Sequence, residues 1–198
     1  MSQHSSPGRQ SSVGALQAAD RSVYDGYSSL TPDEFKHAFR NHAAGVSVVT
    51  ADDGSGPVGL TATSVFSVSV EPPLLVFSVS DLSSSAPVIK SADTVVVHLL
   101  GSAQLDIAKL CATSGIDRFA DTGKWSRLVT GEPLFHDADV WIRGRVVNRM
   151  TAGSSTVIAV HALQTNVVTN RPEAEPSSPL VYHNRNWHEL GEKSRIRS

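Results

Sequence analysis

Residues 45–70 read GVSVVTADDGSGPVGLTATSVFSVSV, and their pattern is the strongest indication of the fold class. The β-branched run at 46–50, the turn-forming residues 52–57 and the second run at 58–62 predict two antiparallel strands joined by a hairpin. Residues 66–70 alternate apolar side chains with serines, which is typical of a half-buried strand. The pattern therefore predicts a fold dominated by antiparallel strands.

The segment before this stretch predicts a helix. Thr31 and Glu34 form a capping-box pattern around Pro32, and Phe35 starts an apolar series at helical spacing that we expect to end at Gly45.

The segments after it predict further strands and two more helices. Strands are expected at 74–80, 94–100, 138–150, 155–168 and 179–182, and helices near 87–91 and 102–111. Many strands, few short helices and hairpin spacing indicate a mainly β fold, an antiparallel Greek-key barrel rather than a parallel α/β sheet.

The length of 198 residues suits a single domain. Residues 1–28 are rich in Ser, Gln and Gly and contain few large apolar groups, so we expect a disordered tail. The folded domain is expected at 29–190, with a polar tail at 191–198.

Composition argues against several function classes. The net charge of −2 gives no general attraction to nucleic acid or to anionic membranes. No apolar run is long enough for a membrane span, and the start of the chain does not resemble a signal peptide. The single cysteine, Cys111, excludes an intramolecular disulfide, which suits the cytoplasm. The eight histidines lack metal-ligand spacing, so no metal is expected.

Two segments are rich in small hydroxyl side chains. Residues 59–64 (GLTATS) would let a flat ligand approach the backbone, although an exposed strand face also explains them. Residues 78–87 (SVSDLSSSAP) lead into a short helix and could bind a phosphate, although a serine-rich loop with a helix cap is an equal explanation. Asp81 would oppose an anion there unless its side chain points away.

The sequence lacks the fingerprints of three common classes of nucleotide-binding and hydrolytic proteins. The glycine patterns of phosphate-binding loops and of dinucleotide-binding folds are absent, and so is the Gly-x-Ser-x-Gly motif of hydrolases. Cys111, on an apolar helix, is interpreted as a packing residue.

The order and spacing of these segments resemble the flavin-reductase-like family, whose members form FMN-binding split β-barrels. The similarity covers about residues 35–190. It rests on nine features in order, namely 45–50 (GVSVVT), 59–64 (GLTATS), 67–69 (SVS), 72–74 (PPL), the loop 83–85 (SSS), the helix with Gln104, 117–119 (DRF), 131–134 (GEPL) and 179–182 (PLVY).

The resemblance implies a flavin site that holds FMN or FAD. Thr61 to Ser64 would line the isoalloxazine ring, and Ser67 to Ser69 would lie along its edge. Ser80 and Ser83 to Ser85 would bind the phosphate, and Asp117 to Phe119 would lie near the outer part of the site. Arg118 would be a charge partner for the phosphate, and a surface or loop-anchoring ion pair is its alternative role. The implied flavin-binding residues are Thr61, Ala62, Thr63, Ser64, Ser67, Val68, Ser69, Ser80, Ser83, Ser84, Ser85, Asp117, Arg118 and Phe119.

The resemblance also implies a reaction and partners. The implied activity is that of an NAD(P)H:flavin oxidoreductase, which uses NADH or NADPH and supplies reduced flavin to a monooxygenase. Such proteins are usually homodimers. The reaction takes place at the flavin, so no catalytic side chain is expected.

One departure from the family pattern concerns the nicotinamide. The family commonly has Gly-Asp-His before the strand at 155–168, whereas this chain has Gly153, Ser154 and Ser155. A serine lacks the ring and the charge of histidine. This leaves open a flavin-binding carrier, sensor or interaction module with little reductase activity. An oxidase of the pyridoxamine-phosphate type is a further alternative, although it would need more basic phosphate ligands.

Overall fold

A computed structural model describes residues 28–167 and 177–196 of the protein. Contacts divide the chain into two compact units, residues 1–37 and residues 38–198. Of the expected tail at 1–28 only Ser28 is described, and the expected end of the strand at 155–168 also lies outside the described residues. Within the described part, no helix is long and apolar enough to cross a membrane.

The described elements are three α-helices, two short 3-10 helices and twelve strands. The helices are α1 (Pro32–Phe39), α2 (Ala86–Ser91) and α3 (Leu105–Ala112), with 3-10 turns at Ser102–Gln104 and Glu192–Ser194. The strands are β1 (Ala44–Gly45), β2 (Ser47–Ala51), β3 (Val58–Ala62), β4 (Phe66–Val70), β5 (Pro73–Ser80), β6 (Thr94–Leu99), β7 (Trp125–Arg127), β8 (Pro133–Phe135), β9 (Val140–Ala152), β10 (Ser155–Thr165), β11 (Leu180–His183) and β12 (Asn186–Glu189).

The first helix begins where its capping pattern predicts. The Thr31 amide donates to the Glu34 carboxylate at 2.8 Å, and the Glu34 amide donates to Thr31 Oγ1 at 3.3 Å. The helix ends at Phe39, however, and not at Gly45 as expected. The reason is that Gly45 belongs to β1, which pairs with β11.

Seven antiparallel strands form the main sheet in the order β3-β2-β6-β9-β10-β5-β4. Its two edge strands, β3 and β4, follow each other in the chain and are separated only by residues 63–65. In a flat sheet, six strand spacings of about 4.8 Å would place these edges about 29 Å apart. Three linking residues span at most about 14 Å. The sheet is therefore rolled, which confirms the mainly β, barrel-like fold.

The core consists of two clusters on either side of β2. Val49 packs with Phe77 and Ile158 inside the rolled sheet, whereas its neighbour Val48 packs with Phe135 and with residues of α3. All five residues of β2 are buried, because α3 and β8 cover the face that the sheet does not enclose. Complete burial of a Val, Ile or Phe side chain in these clusters stabilises the fold by about 1.5–3 kcal/mol.

The alternating residues of β4 differ in burial from the expectation. Phe66, Val68 and Val70 are all exposed, with 59%, 55% and 91% of their surfaces accessible. The strand β4 lies at the edge of the sheet, and a bulge at Val68 in its pairing with β5 interrupts the expected alternation. The prediction of a strand is confirmed, but its buried face is not formed within one chain. Strands β1, β7, β8 and β12 are too short or too polar for the sequence pattern to have shown them.

Candidate functional site

The link between β3 and β4 is held in place by side-chain hydroxyls. Ser64 Oγ accepts the Ser78 amide proton at 3.0 Å and donates to the Ser78 carbonyl at 3.3 Å, which fixes the link against β5. Thr61 Oγ1 donates to the Ala108 carbonyl at 2.6 Å and so attaches β3 to α3. Between them, Ala62 is buried and Thr63 is exposed. Thr63 is thus the hydroxyl of this segment that faces solvent.

The loop between β5 and α2 presents further hydroxyls. Ser80 Oγ accepts the Leu82 amide proton and Ser83 Oγ accepts the Ser85 amide proton, each at 3.3 Å. Neither hydroxyl donates a hydrogen bond to any described residue, so both keep a proton that can be offered to an anion. Ser84 is exposed. Ser80, Ser83 and Ser84, together called the serine loop below, therefore form a set of neutral donors at one place.

Ser85 has a different position from the other loop serines. It is 1% exposed, and its hydroxyl donates to the Gly59 carbonyl at 2.9 Å. The bond fastens the start of α2 to β3. Ser85 therefore holds the serine loop in place, and its buried hydroxyl is already committed to a protein acceptor.

The charge of Asp81 within the loop is balanced by Lys90. Lys90 lies in the last turn of α2, and its Nζ is 2.9 Å from Asp81 Oδ1. Both side chains are partly exposed, at 38% and 43% of their surfaces. Sequence reasoning identified Asp81 as an obstacle to anion binding and missed Lys90, because no local pattern relates two residues separated by a loop and a helix.

The turn between β9 and β10 lies beside the serine loop. Ser155 stands opposite Ser80 in the β5–β10 pairing, and the Asp81 amide donates to the Ser154 carbonyl at 3.0 Å. Gly153 makes the turn with a φ of +59°, a conformation that favours glycine. The segment expected to contact nicotinamide and the segment expected to contact phosphate are thus adjacent.

Residues 117–119 lie on the other side of β3, next to α3. Asp117 Oδ1 accepts the Phe119 amide proton at 2.9 Å. The Arg118 guanidinium donates to the carbonyls of Cys111 at 3.2 Å and Thr113 at 2.8 Å, at the end of α3. Phe119 is 6% exposed and stacks on Phe135 with ring centroids 5.3 Å apart. Arg118 and Phe119 therefore stabilise the fold around α3.

The residues expected along the ring edge extend away from the serine loop. Ser67 and Ser69 lie opposite Leu75 and Leu74, with a bulge at Val68. Leu74 is six residues from Ser80 along β5, which corresponds to about 20 Å. The structure therefore brings together 61–64, 80–85 and 153–155, and leaves Ser69 and the segment 117–119 at a distance or on another face.

Other chemically active groups are unsuited to catalysis here. Burial raises the pKa of the Cys111 thiol to about 12, so this residue stays protonated and unreactive. Among the described residues, no three His, Cys, Asp or Glu side chains are grouped so that they could hold a metal ion.

Comparison with protein families places most of the chain in one of them. Residues 39–191 match the family described as "Flavin reductase like domain". Among curated proteins, the chain is 41% identical over 156 residues to an NADH:FMN oxidoreductase of Rhodococcus qingshengii, and this match covers 79% of the chain and 80% of the relative.

Solved structures give the same result. A flavin reductase domain protein from Arthrobacter sp. FB24 superposes with a TM-score of 0.74 at 30% identity, covering 81% of this chain and 96% of the other. The flavin reductase component of a bacterial two-component tryptophan halogenase superposes with a TM-score of 0.70 at 25% identity, covering 82% and 99%.

Proposed function

The chain belongs to the flavin reductase like family, and on this premise we propose that it is an NAD(P)H:flavin oxidoreductase. It would reduce FMN or FAD by hydride transfer and supply the reduced flavin to a partner monooxygenase. The observation that carries the proposal is the meeting of the serine loop, the β3–β4 link and the β9–β10 turn in a chain 41% identical to an NADH:FMN oxidoreductase.

The chemistry of the site suits a phosphorylated flavin. Ser80 and Ser83 have hydroxyl protons to offer, Ser84 is exposed beside them, and Lys90 supplies a positive charge. Hydroxyl donors and a cation are the groups that bind phosphate in proteins. We assign the phosphate to this loop, and the ring to Ala62, Thr63 and Ser64, where small side chains allow close approach to the backbone. Ser85 and Thr61 support these contacts from beneath.

The side chains have a positioning task and no acid–base task. A flavin held by these residues would supply the chemistry, namely the acceptance of a hydride from a reduced nicotinamide. The protein must hold the two rings in contact, and the rigid attachment of β3 to α3 and α2 serves this purpose. The Cys111 thiol, which burial keeps protonated, has no task in such a mechanism.

We assign the nicotinamide nucleotide to the turn at Gly153–Ser155. This turn adjoins the serine loop through the Asp81–Ser154 hydrogen bond, so a nucleotide bound there would lie next to the flavin. Serine hydroxyls at 154 and 155 can bind either an amide or a phosphate oxygen. Either NADH or NADPH can therefore serve as the co-substrate in this proposal.

The serine-loop assignment predicts a selective loss of affinity in Ser84→Asp. A new carboxylate beside the flavin phosphate should weaken FMN binding by about tenfold to a hundredfold through charge repulsion. Riboflavin, which has no phosphate, should bind as in the wild type. Quenching of flavin fluorescence measures both affinities.

The matched control for this variant is Ser126→Asp, since Ser126 is an exposed serine on β7. It should bind FMN like the wild type. Equal FMN affinity in Ser84→Asp and in the control would contradict the assignment of the phosphate to this loop.

We further propose that the protein is a homodimer that packs through β4. Phe66, Val68 and Val70 form a strip of mostly exposed apolar side chains along an edge strand of the single chain. Monomeric proteins rarely leave such a strip and an unpaired strand edge in water. A second copy that covers β4 would bury these side chains.

Val68→Asp should shift the protein from dimer to monomer in sedimentation analysis, because an unpaired carboxylate would be buried in the contact. Val129 is fully exposed on the turn before Gly131, so Val129→Asp is the control and should leave the dimer intact. A monomeric wild type, or a dimeric Val68→Asp, would contradict the proposed contact.

A second candidate function is supported by the turn between β9 and β10. Because Ser154 and Ser155 replace the Asp-His of the family pattern, the protein could bind flavin and reduce it slowly, as a carrier, sensor or interaction module. Reduction by NADH or NADPH distinguishes the two functions.

A cytoplasmic location, where a lone cysteine stays reduced, is part of the proposal.

A further inference from the structure

We propose that Lys90 and Asp81 together determine how strongly the protein selects phosphorylated flavins. Lys90 neutralises the single acid of the serine loop and turns to the flavin phosphate when that group is present. The inference rests on the proposed function, since it assigns the phosphate to the same loop.

The geometry places the Lys90 ammonium at the loop. The chain runs from Asp81 through the loop and then back along α2, so that Nζ of Lys90 reaches Asp81 Oδ1 at 2.9 Å. The segments 80–85 and 153–155, which surround this point, contain no lysine or arginine. Among the described ion pairs, the one between Lys90 and Asp81 thus places a positive charge next to these segments.

The ion pair is suited to exchange its partners. Both side chains are partly open to solvent, and an exposed lysine–carboxylate pair contributes little to stability. A flavin phosphate has close to two negative charges and three acceptor oxygens, so it attracts an ammonium more strongly than one carboxylate does. Lys90 can therefore contact the phosphate while it remains close to Asp81.

Loss of Lys90 and loss of the Asp81 charge should change the affinity for the flavin phosphate in opposite directions. Without Lys90, the Asp81 carboxylate stands unbalanced next to the position of the phosphate and repels it. Without the charge of Asp81, Lys90 has the phosphate as its main partner. A purely structural role for the pair would instead change all flavin affinities in the same direction.

The test measures the affinities of FMN and riboflavin in three variants of the full-length protein. Lys90→Gln should weaken FMN binding by about tenfold or more, and Asp81→Asn should strengthen it severalfold. Riboflavin affinity should stay the same in both. Lys90→Arg should restore FMN affinity, because it restores the positive charge.

Lys124→Gln is the matched control, since Lys124 forms an exposed ion pair with Asp121 at 3.8 Å and lies outside the loop. It should leave both affinities unchanged. Unchanged FMN affinity in Lys90→Gln, or an equal loss for FMN and riboflavin, would overturn this inference and leave the proposed function intact. A wild type that binds neither flavin would overturn both.

Discussion

Arg143→Ala is expected to lower the free energy of unfolding by about 3–5 kcal/mol. The guanidinium Nε of Arg143 donates to Glu132 Oε1 at 2.7 Å, and the two side chains are only 15% and 4% exposed. Without Arg143, a carboxylate would remain buried with no cation beside it. Urea unfolding followed by tryptophan fluorescence measures the loss.

The hydrogen bonds around Glu132 explain why this carboxylate is charged in the folded state. Burial raises its pKa, but hydrogen bonds from Thr130, Thr94 and Arg143 outweigh the burial and hold the pKa below its usual value. Glu132 precedes Pro133, whose carbonyl accepts the Thr50 hydroxyl at 2.5 Å. The Glu132–Arg143 pair therefore fixes the segment 131–134 against β9, and the Thr50–Pro133 hydrogen bond fixes it against β2.

Two further variants make the prediction specific. Glu132→Gln in the Arg143→Ala background should recover part of the lost stability, since a neutral amide is less costly to bury than an unpaired charge. Lys124→Ala removes an exposed pair and should cost at most about 0.5 kcal/mol. A loss below about 1 kcal/mol in Arg143→Ala would show that this pair does not stabilise the fold as described.

Acid should destabilise the protein through His98, well before its carboxylates are protonated. His98 is completely buried, its Nδ1 lies 3.1 Å from the Val48 carbonyl, and its Nε2 accepts the Phe135 amide proton at 3.2 Å. These partners require a neutral ring with the proton on Nδ1. Burial lowers the pKa of His98 from 6.5 to about 4, although the bond to Val48 acts in the opposite direction.

The sign follows from the difference between the two states. Between pH 6.5 and about 4 the unfolded chain binds a proton at residue 98 and the folded chain does not, so stability falls as the pH falls through this range. The total loss is about 3 kcal/mol, of which about 2 kcal/mol occurs between pH 7 and pH 5. Urea unfolding at a series of pH values measures this slope.

His98→Asn tests the assignment, because asparagine can still donate to the Val48 carbonyl but does not titrate. It should be less stable than the wild type at pH 7 and should lose much less stability between pH 7 and pH 5. His136→Asn, at an exposed histidine, should keep the wild-type slope. An unchanged slope in His98→Asn would assign the acid sensitivity to other groups.

Local patterns were sufficient for most of the fold. The capping box of α1, the hairpin of β2 and β3 and the long pair β9–β10 all depend on residues close in sequence, and each lies within a few residues of its predicted position. The prediction that α1 ends at Gly45 was wrong because β11, more than 130 residues later in the chain, pairs with this glycine. Local spacing cannot indicate such a competitor.

The direction of the site hydroxyls could not be predicted in this way. Thr61 and Ser85 belong to the same hydroxyl-rich segments as Thr63 and Ser84, yet their hydroxyls donate to carbonyls 47 and 26 residues away. Which hydroxyl is exposed and which one fastens the loop is decided by these distant partners. The same reason applies to Lys90, whose role depends on how α2 returns toward Asp81.

We propose that the serine loop and its neighbours form a flavin site used for reduction by a nicotinamide nucleotide. The most direct test of this proposal is anaerobic titration of the purified protein with FMN and FAD, followed by addition of NADH or NADPH while the yellow absorbance of the flavin is recorded. We expect saturable flavin binding and rapid bleaching of the flavin absorbance by at least one of the two nucleotides. Binding without bleaching would contradict the reductase function and favour the carrier, and failure of both flavins to bind would contradict the site itself.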